Sequence, residues 1–167
     1  MGIYSSLNLM YKIGLGKDIH RLKRGLPLIL GGVKIPFKMG LVAHSDGDVV
    51  FHSIVDAILG ALSKKDIGHY YPNNEINLNR DSGDYLIDMN NLLEKENYKI
   101  SNIDITIECE KPMLNIYIDD MKNNISKYLN IENTQISIKA CTNEKIGPIG
   151  RNLAIQSTCI ILIYKNI

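Results

Sequence analysis

The sequence predicts an α+β fold in which a mixed β-sheet is packed on one face by helices. Two observations carry this prediction. Stretches of period 2 alternate along the chain with stretches of period 3.6. No repeat, linker or low-complexity run divides the 167 residues, a length that suits one domain with a sizeable core. Strands alternating with helices pack as sheet against helix, here with βαβ elements of the ferredoxin-like kind. The domain is expected to span 1–167, with residues 1–10 a flexible or added N-terminus.

In chain order, Tyr11 to Leu15 reads as a strand leading into Lys17-Asp18-Ile19-His20. Leu28-Ile29-Leu30 and Val33-Lys34-Ile35 flank Gly31-Gly32 and read as a hairpin, ended by Pro36. Ser45 to Ser63 is the clearest helix. Ser45 is its expected N-cap, with Asp48 completing an acidic capping box. Val49, Ile54, Val55, Ile58, Leu59 and Leu62 form its apolar stripe. Asp81 to Glu96 is a second helix with Leu86, Met89, Leu92 and Leu93 inward. Asn102 to Glu110 alternates Ile103, Ile105 and Ile107 with polar residues, as a half-buried strand does. Leu114 to Leu129 is a third helix after Pro112. Gln135 to Cys141 and the β-branched run Ala154 to Tyr164 are the last strands.

A net charge of +1 forces no basic face, so nucleic acid is not the default partner. No stretch reaches the roughly 20 apolar residues of a membrane span. Three cysteines, Cys109, Cys141 and Cys159, form no Cys-x-x-Cys pair, which fits a reducing compartment. Met1 to Met10 is not a secretory signal. Met1 to Ser6 matches the loose myristoylation pattern, which is short enough to arise by accident.

Three of the four histidines lie near acidic residues in the first third of the chain; His69 is the fourth. Asp18 and His20 stand at i and i+2 of an extended segment and share a face. His52 and Asp56 stand one helical turn apart, and His44 just precedes that helix. A lone histidine is more often a plain surface or core residue. Two imidazoles with a carboxylate, however, are a common zinc set that keeps a fourth position for water or substrate. His44-Ser45-Asp46-Gly47-Asp48 leads into a helix N-terminus, where free N–H groups favour anions. Capping alone accounts for Ser45 and Asp48 but not for His44. Cys141-Thr142-Asn143-Glu144-Lys145-Ile146-Gly147 and Gly150-Arg151 place a hydroxyl, a carboxylate and an arginine after a strand. Such groups suit phosphate and Mg2+, and they also fill many solvated loops.

These residues resemble the 2-C-methyl-D-erythritol 2,4-cyclodiphosphate synthases of the non-mevalonate isoprenoid pathway. The matching segments are Gly16 to His20, Leu30 to Pro36, Leu41 to Asp48, His52, Asp56 to Gly60, Asp66 to Gly68, Tyr71-Pro72 and Asn143 to Arg151. They are collinear from about Tyr11 to Tyr164, and Ala43-His44-Ser45-Asp46-Gly47-Asp48 is the most specific of them.

The resemblance implies a metal-dependent lyase that cyclises 4-diphosphocytidyl-2-C-methyl-D-erythritol 2-phosphate and releases CMP. It implies a homotrimer with an active site at each subunit junction. It implies Zn2+, or a similar transition metal, on Asp18, His20 and His52, and Mg2+ or Mn2+ on the diphosphate with help from Glu144. His44 and Thr142 are the implied transition-state stabilisers. Ser45, Asp66 and Gly68 are implied to hold the erythritol phosphate part, and Asp18, His20, His44, Ile67, Tyr71, Asn73 and Glu75 are implied among the substrate-binding residues. Glu110, Lys111, Pro112, Met113 and Leu114, with Cys141, Thr142, Asn143 and Glu144, are implied in a cytidine pocket supplied by a neighbouring subunit. Arg151 is implied toward an apolar central cavity of the trimer, which could take an isoprenoid diphosphate. Asp56 is expected to orient an imidazole from behind the metal ligands.

Met113 stands where the family usually has lysine, Asn73 where it has an acid and Pro148 where it has an aromatic. Altered affinity rather than lost activity is expected from these departures. A zinc phosphodiesterase with the same Asp-His-His set, and a non-catalytic isoprenoid diphosphate binder, are the competing readings. The Asn, Ile and Lys bias with this pathway points to the relict plastid (apicoplast) of a parasite, with a bacterial cytoplasm as the alternative.

Overall fold

The computed structural model describes residues 8–72, 75 and 80–167; Asn73 and the Met1–Ser6 pattern fall outside them. Strand β1, Leu9–Arg24, is longer than expected and carries Asp18 and His20 within it. Its length follows from its partner, the final strand β7, Ala154–Asn166, which pairs with it from Leu9↔Asn166 to Arg21↔Ala154. β2, Leu28–Leu30, and β3, Val33–Ile35, form the expected hairpin, with Gly31 and Gly32 both at positive φ. A short β4, Met39–Leu41, adds to the edge of β1.

Helix α1, Val49–Ala61, begins later than the sequence suggested. Its N-cap is Asp48, not Ser45, which corrects the capping-box expectation. Gly47 sits at φ 77°, so the chain can enter a helical path only after it. The Asp48 carboxylate accepts the N–H groups of Val50 and Phe51, and also those of Gly31 and Gly32 at 2.9 and 2.7 Å. One buried carboxylate thereby ties the hairpin turn to the helix. Almost every side chain of α1 is buried, as befits a helix enclosed on all sides.

A single turn, α2, Ile67–Tyr70, follows. Then comes α3, Ser82–Lys95, capped by Asp81 and packed through Tyr85, Leu86, Met89 and Leu93. β5, Lys99–Glu108, keeps Ile103, Ile105 and Ile107 fully buried. The expected third helix is a 3-10 turn, Asn115–Tyr117, and α4, Ile118–Leu129, whose Met121, Ile125 and Leu129 form one buried stripe. β6, Ile136–Cys141, and the single turn α5, Gly147–Gly150, precede β7.

The main sheet has the order β4-β1-β7-β5-β6, antiparallel except for the parallel pair β5 and β6. The β5–α4–β6 crossover is the expected βαβ element. One shared core lies between the sheet and α1, α3 and α4. On the opposite face of the sheet, Ile13, Leu15, Ile19 and Ile160 remain exposed.

Candidate active site

Four residues of β1 at period 2 explain how the site forms. Gly14 and Gly16 lie directly under α1, where a Cβ would come within 1.8 Å of Ala57 O and 2.0 Å of Ser53 O. Only glycine permits that approach. The next two residues on this face are Asp18 and His20, and the helix pressed onto the glycines presents His52 to them. Asp18 Oδ2 lies 2.9 Å from His52 Nδ1 and 3.1 Å from His20 Nε2, and the two nitrogens are 3.4 Å apart. A tetrahedral ion with bonds of about 2.0 Å requires ligand separations of about 3.3 Å. The donor set and its spacing fit a zinc-type ion.

Burial pushes the Asp18 carboxyl up, but hydrogen bonds and charge from both imidazoles outweigh it and hold the group well below the usual carboxylate range. For His52, burial pulls the imidazole down. Asp18, with Asp48 and Asp46 further off, outweighs that and raises it.

Behind the triangle, His52 Nε2 lies 2.9 Å from Ser82 Oγ and 3.2 Å from Ser45 Oγ. Asp46 accepts both the N–H and the hydroxyl of Ser82. The expectation that Asp56 orients an imidazole is corrected here. Its carboxylate instead accepts the Ile67 N–H at 2.7 Å and holds the start of α2.

The triangle opens on a cleft of about 290 Å³, lined also by Ala43, His44, Ser45, Ile67, Gly68, Tyr71 and Tyr85. Of the expected residues, Asp66 uses its carboxylate to cap α2 through the His69 N–H, and Glu75 is exposed outside the cleft lining. Tyr71 stacks on Tyr85 with ring centroids 4.2 Å apart and donates to Asp88 at 2.9 Å. Arg80 lies over both rings and also reaches Asp88.

The remaining expected residues lie elsewhere in the chain. A second cleft of about 210 Å³ is lined by Cys109, Glu110, Pro112, Met113, Leu114, Asn115, Ala140, Cys141 and Thr142. Lys111 and Asn143 are beside this lining rather than in it. Thr142 donates to Glu144 at 2.7 Å, and Glu144 and Lys145 both adopt left-handed backbone, φ 48° and 63°. Strain of this kind concentrates at functional sites. Arg151 is exposed and bonds to Gly147 O.

Register shows how the clefts relate. Asp18, Ser157, Ile107 and Ala140 form one row across β1, β7, β5 and β6. Three strand spacings separate its ends, roughly 14 Å. The two clefts therefore open at the same end of the sheet, toward opposite edges.

The sequence marks Asp46 only as part of the loop leading into α1, whereas Ser82, Tyr85, Arg80 and Asp88 were not anticipated from it. The only signal for them was the polar content of residues 80–88, which any exposed first helical turn would share.

Known proteins resemble this chain along most of its length. It is 45% identical over 157 residues to 2-C-methyl-D-erythritol 2,4-cyclodiphosphate synthase of Fusobacterium nucleatum, covering 93% of this chain and 98% of that protein. The synthase of Caldicellulosiruptor bescii is also 45% identical, covering 93% and 100%. Among solved structures, the CDP complex of IspF from Plasmodium falciparum superposes with a TM-score of 0.84 at 41% identity, over 94% of this chain and 97% of that one. The bifunctional IspDF of Campylobacter jejuni matches with a TM-score of 0.90 at 35% identity, over 95% of this chain and 43% of that one. The YgbB family model matches residues 11–164, and on these grounds the chain belongs to the YgbB family of 2-C-methyl-D-erythritol 2,4-cyclodiphosphate synthases.

Proposed function

We propose that this chain cyclises 4-diphosphocytidyl-2-C-methyl-D-erythritol 2-phosphate to 2-C-methyl-D-erythritol 2,4-cyclodiphosphate and CMP. The observation that carries the reading is the Asp18–His20–His52 triangle at the mouth of a cleft, in a chain so similar to these synthases over nearly its whole length.

An oxygen of the 2-phosphate attacks the β-phosphorus. The bond from that phosphorus to the oxygen bridging it to the α-phosphate breaks, and CMP departs with the electron pair. Nucleophile and electrophile share one molecule, so the main task is to fold the substrate into a ring. Well-oriented intramolecular reactions reach effective molarities of about 10⁵–10⁸ M. No general base is required, because the phosphate is already ionised at neutral pH.

The obstacle is repulsion between phosphate groups. Divalent ions, Zn2+ on Asp18, His20 and His52 and Mg2+ or Mn2+ beside Glu144, supply positive charge there when bound. Ser45 and the backbone of Ile67 and Gly68 line the erythritol phosphate side. His44 donates to the reacting phosphate, and Thr142 does so from the other cleft. Tyr71 walls the erythritol side. The second cleft takes cytidine, with Met113, Leu114 and Cys141 as its walls and Lys111 and Asn143 at its rim.

Two clefts at opposite edges of one sheet support a cyclic assembly in which one chain's β1 edge meets its neighbour's β6 edge. The exposed apolar strip supports a homotrimer. Arg151 would then face the trimer axis, where an isoprenoid diphosphate fits. The single core and the family match over 11–164 support one domain. The bacterial origin of the curated relatives supports a bacterial cytoplasm ahead of a plastid. Among the described residues no helix is long and apolar enough to cross a membrane.

Phosphorus NMR with this substrate, Mg2+ and Zn2+, with and without chelator, tests the reading. The expected result is cyclic diphosphate with CMP, lost on chelation. A linear bisphosphate with CMP would make the protein a hydrolase, and bound substrate without CMP would make it a binder.

A further inference from the structure

We infer that Ser82 and Asp46 form a hydrogen-bond relay that fixes the tautomer and rotation of His52, and so sets the affinity of the Asp18–His20–His52 site for a divalent metal ion. The inference rests on the reading of those three residues as a metal site.

The direction of the relay follows from proton counting. His52 turns Nδ1 toward Asp18 and His20. A metal-ligating Nδ1 carries no proton, so the proton of the neutral ring is on Nε2. Nε2 lies 2.9 Å from Ser82 Oγ, a residue with no exposed surface. A serine hydroxyl has one proton, and that of Ser82 goes to Asp46 Oδ1. Toward His52, Ser82 therefore accepts. The chain reads His52 Nε2–H to Ser82 Oγ, then Ser82 O–H to the Asp46 carboxylate.

Asp46 is itself held at several points. Its other oxygen accepts the Ser82 N–H at 3.0 Å, its own N–H reaches Arg80 O, and Oδ1 accepts the Asp48 N–H at 3.2 Å. The relay thus links the first turn of α1, the loop before it and the first residue of α3. A carboxylate one hydroxyl away makes His52 a more basic ligand and penalises the flipped ring. Ser45 Oγ, at 3.2 Å from the same nitrogen, is not needed for this task. Its proton can go to a phosphate in the cleft.

Zinc affinity by chelator competition is the test, measured on the full chain with melting of the zinc-free protein alongside. Wild type should bind zinc and Asp18→Ala should not. Ser82→Ala should bind about 10–100-fold more weakly with the zinc-free melting temperature little changed, because the Ser82 N–H bond to Asp46 survives. Asp46→Asn should weaken binding alone but add little in the Ser82→Ala background, since Asp46 acts through Ser82. Imidazole nitrogen NMR of the zinc-loaded wild type should show His52 protonated at Nε2. Ser82→Ala with wild-type zinc affinity, additive losses in the double variant, or a His52 protonated at Nδ1 would overturn the relay and leave the metal site standing. A wild type that binds no zinc would overturn both.

Discussion

The thiols show how burial sets chemistry one residue at a time. Cys109 donates weakly to Pro112 O, and burial pushes its thiol up to about 12. Cys159, inside the core under α1, is raised further for the same reason. Neither forms thiolate at pH 8, and the thiolate is the reactive form. Cys141 is exposed in the second cleft. Ellman's reagent on the native protein at pH 8 should find one fast thiol, which Cys141→Ser removes and CDP slows. Three fast thiols would show that the core is open. At this scale the shared face of Asp18 and His20 was legible as a local i, i+2 strand pattern, whereas the choice of His52, 32 residues from His20, to complete the set came from the family resemblance. Ser82 was not legible. Its partners Asp46 and His52 are 36 and 30 residues away, and no periodicity records such a meeting. Asp56 misled because its spacing from His52 is helical, whereas the far nitrogen of His52 points toward α3.

Among the elements, the pairing of α1 with β1 decides whether the site exists. A Cβ on Gly16 would fall 2.0 Å from Ser53 O and 2.4 Å from Ala57 N, both rigid backbone atoms. Gly16→Ala should therefore push the helix off the strand, costing about 3 kcal/mol or more, and should lower zinc affinity along with the melting temperature. Gly60→Ala is the contrasting case. Its nearest neighbour is Leu15 O at 3.6 Å, an ordinary contact on an exposed helical position. Alanine there should raise stability by about 0.5–1 kcal/mol, read as a small rise in melting temperature. Asp48→Ala should cost about 2–4 kcal/mol, since four N–H donors lose one acceptor. Thermal melts of the three variants should rank in that sense, with only Gly60→Ala above wild type. The strands were legible because alternating isoleucines declare a half-buried face. The start of α1 was misplaced because Ser45 and Asp48 satisfy the capping pattern, and only the φ of Gly47 separates the two possible beginnings. The full length of β1 was hidden by its glycines and charges, which look like loop until β7 is laid beside them.

At the scale of the molecule, one chain holds two separate clefts, and the proposal that neighbouring chains pair them makes a quantitative prediction. The β1 edge carries Asp18, His20 and His52; the β6 edge carries Thr142 and Glu144. The exposed Ile13 and Leu15, at 71% and 62%, adjoin Ile160 on β7, so an apolar strip runs down the open face of the sheet. Replacing Ile13 and Leu15 by aspartate should leave a monomer by light scattering. It should bind zinc as wild type does, because the triangle lies within one chain, yet release CMP at least 100-fold more slowly. Complementation goes further. Asp18→Ala spoils only the first edge, and Thr142→Ala with Glu144→Ala spoils only the second. Each variant alone should be inactive. In a ring assembled at random from equal amounts of both, a junction is intact only when a sound first edge meets a sound second edge, which is about one junction in four for a heterologous contact. Co-refolded mixtures should therefore regain about a quarter of wild-type CMP release, rising and falling symmetrically as the mixing ratio departs from one to one. Were the two clefts to serve one substrate within a single chain, no mixture could recover any activity, and the assignment of both edges to a shared junction would fail.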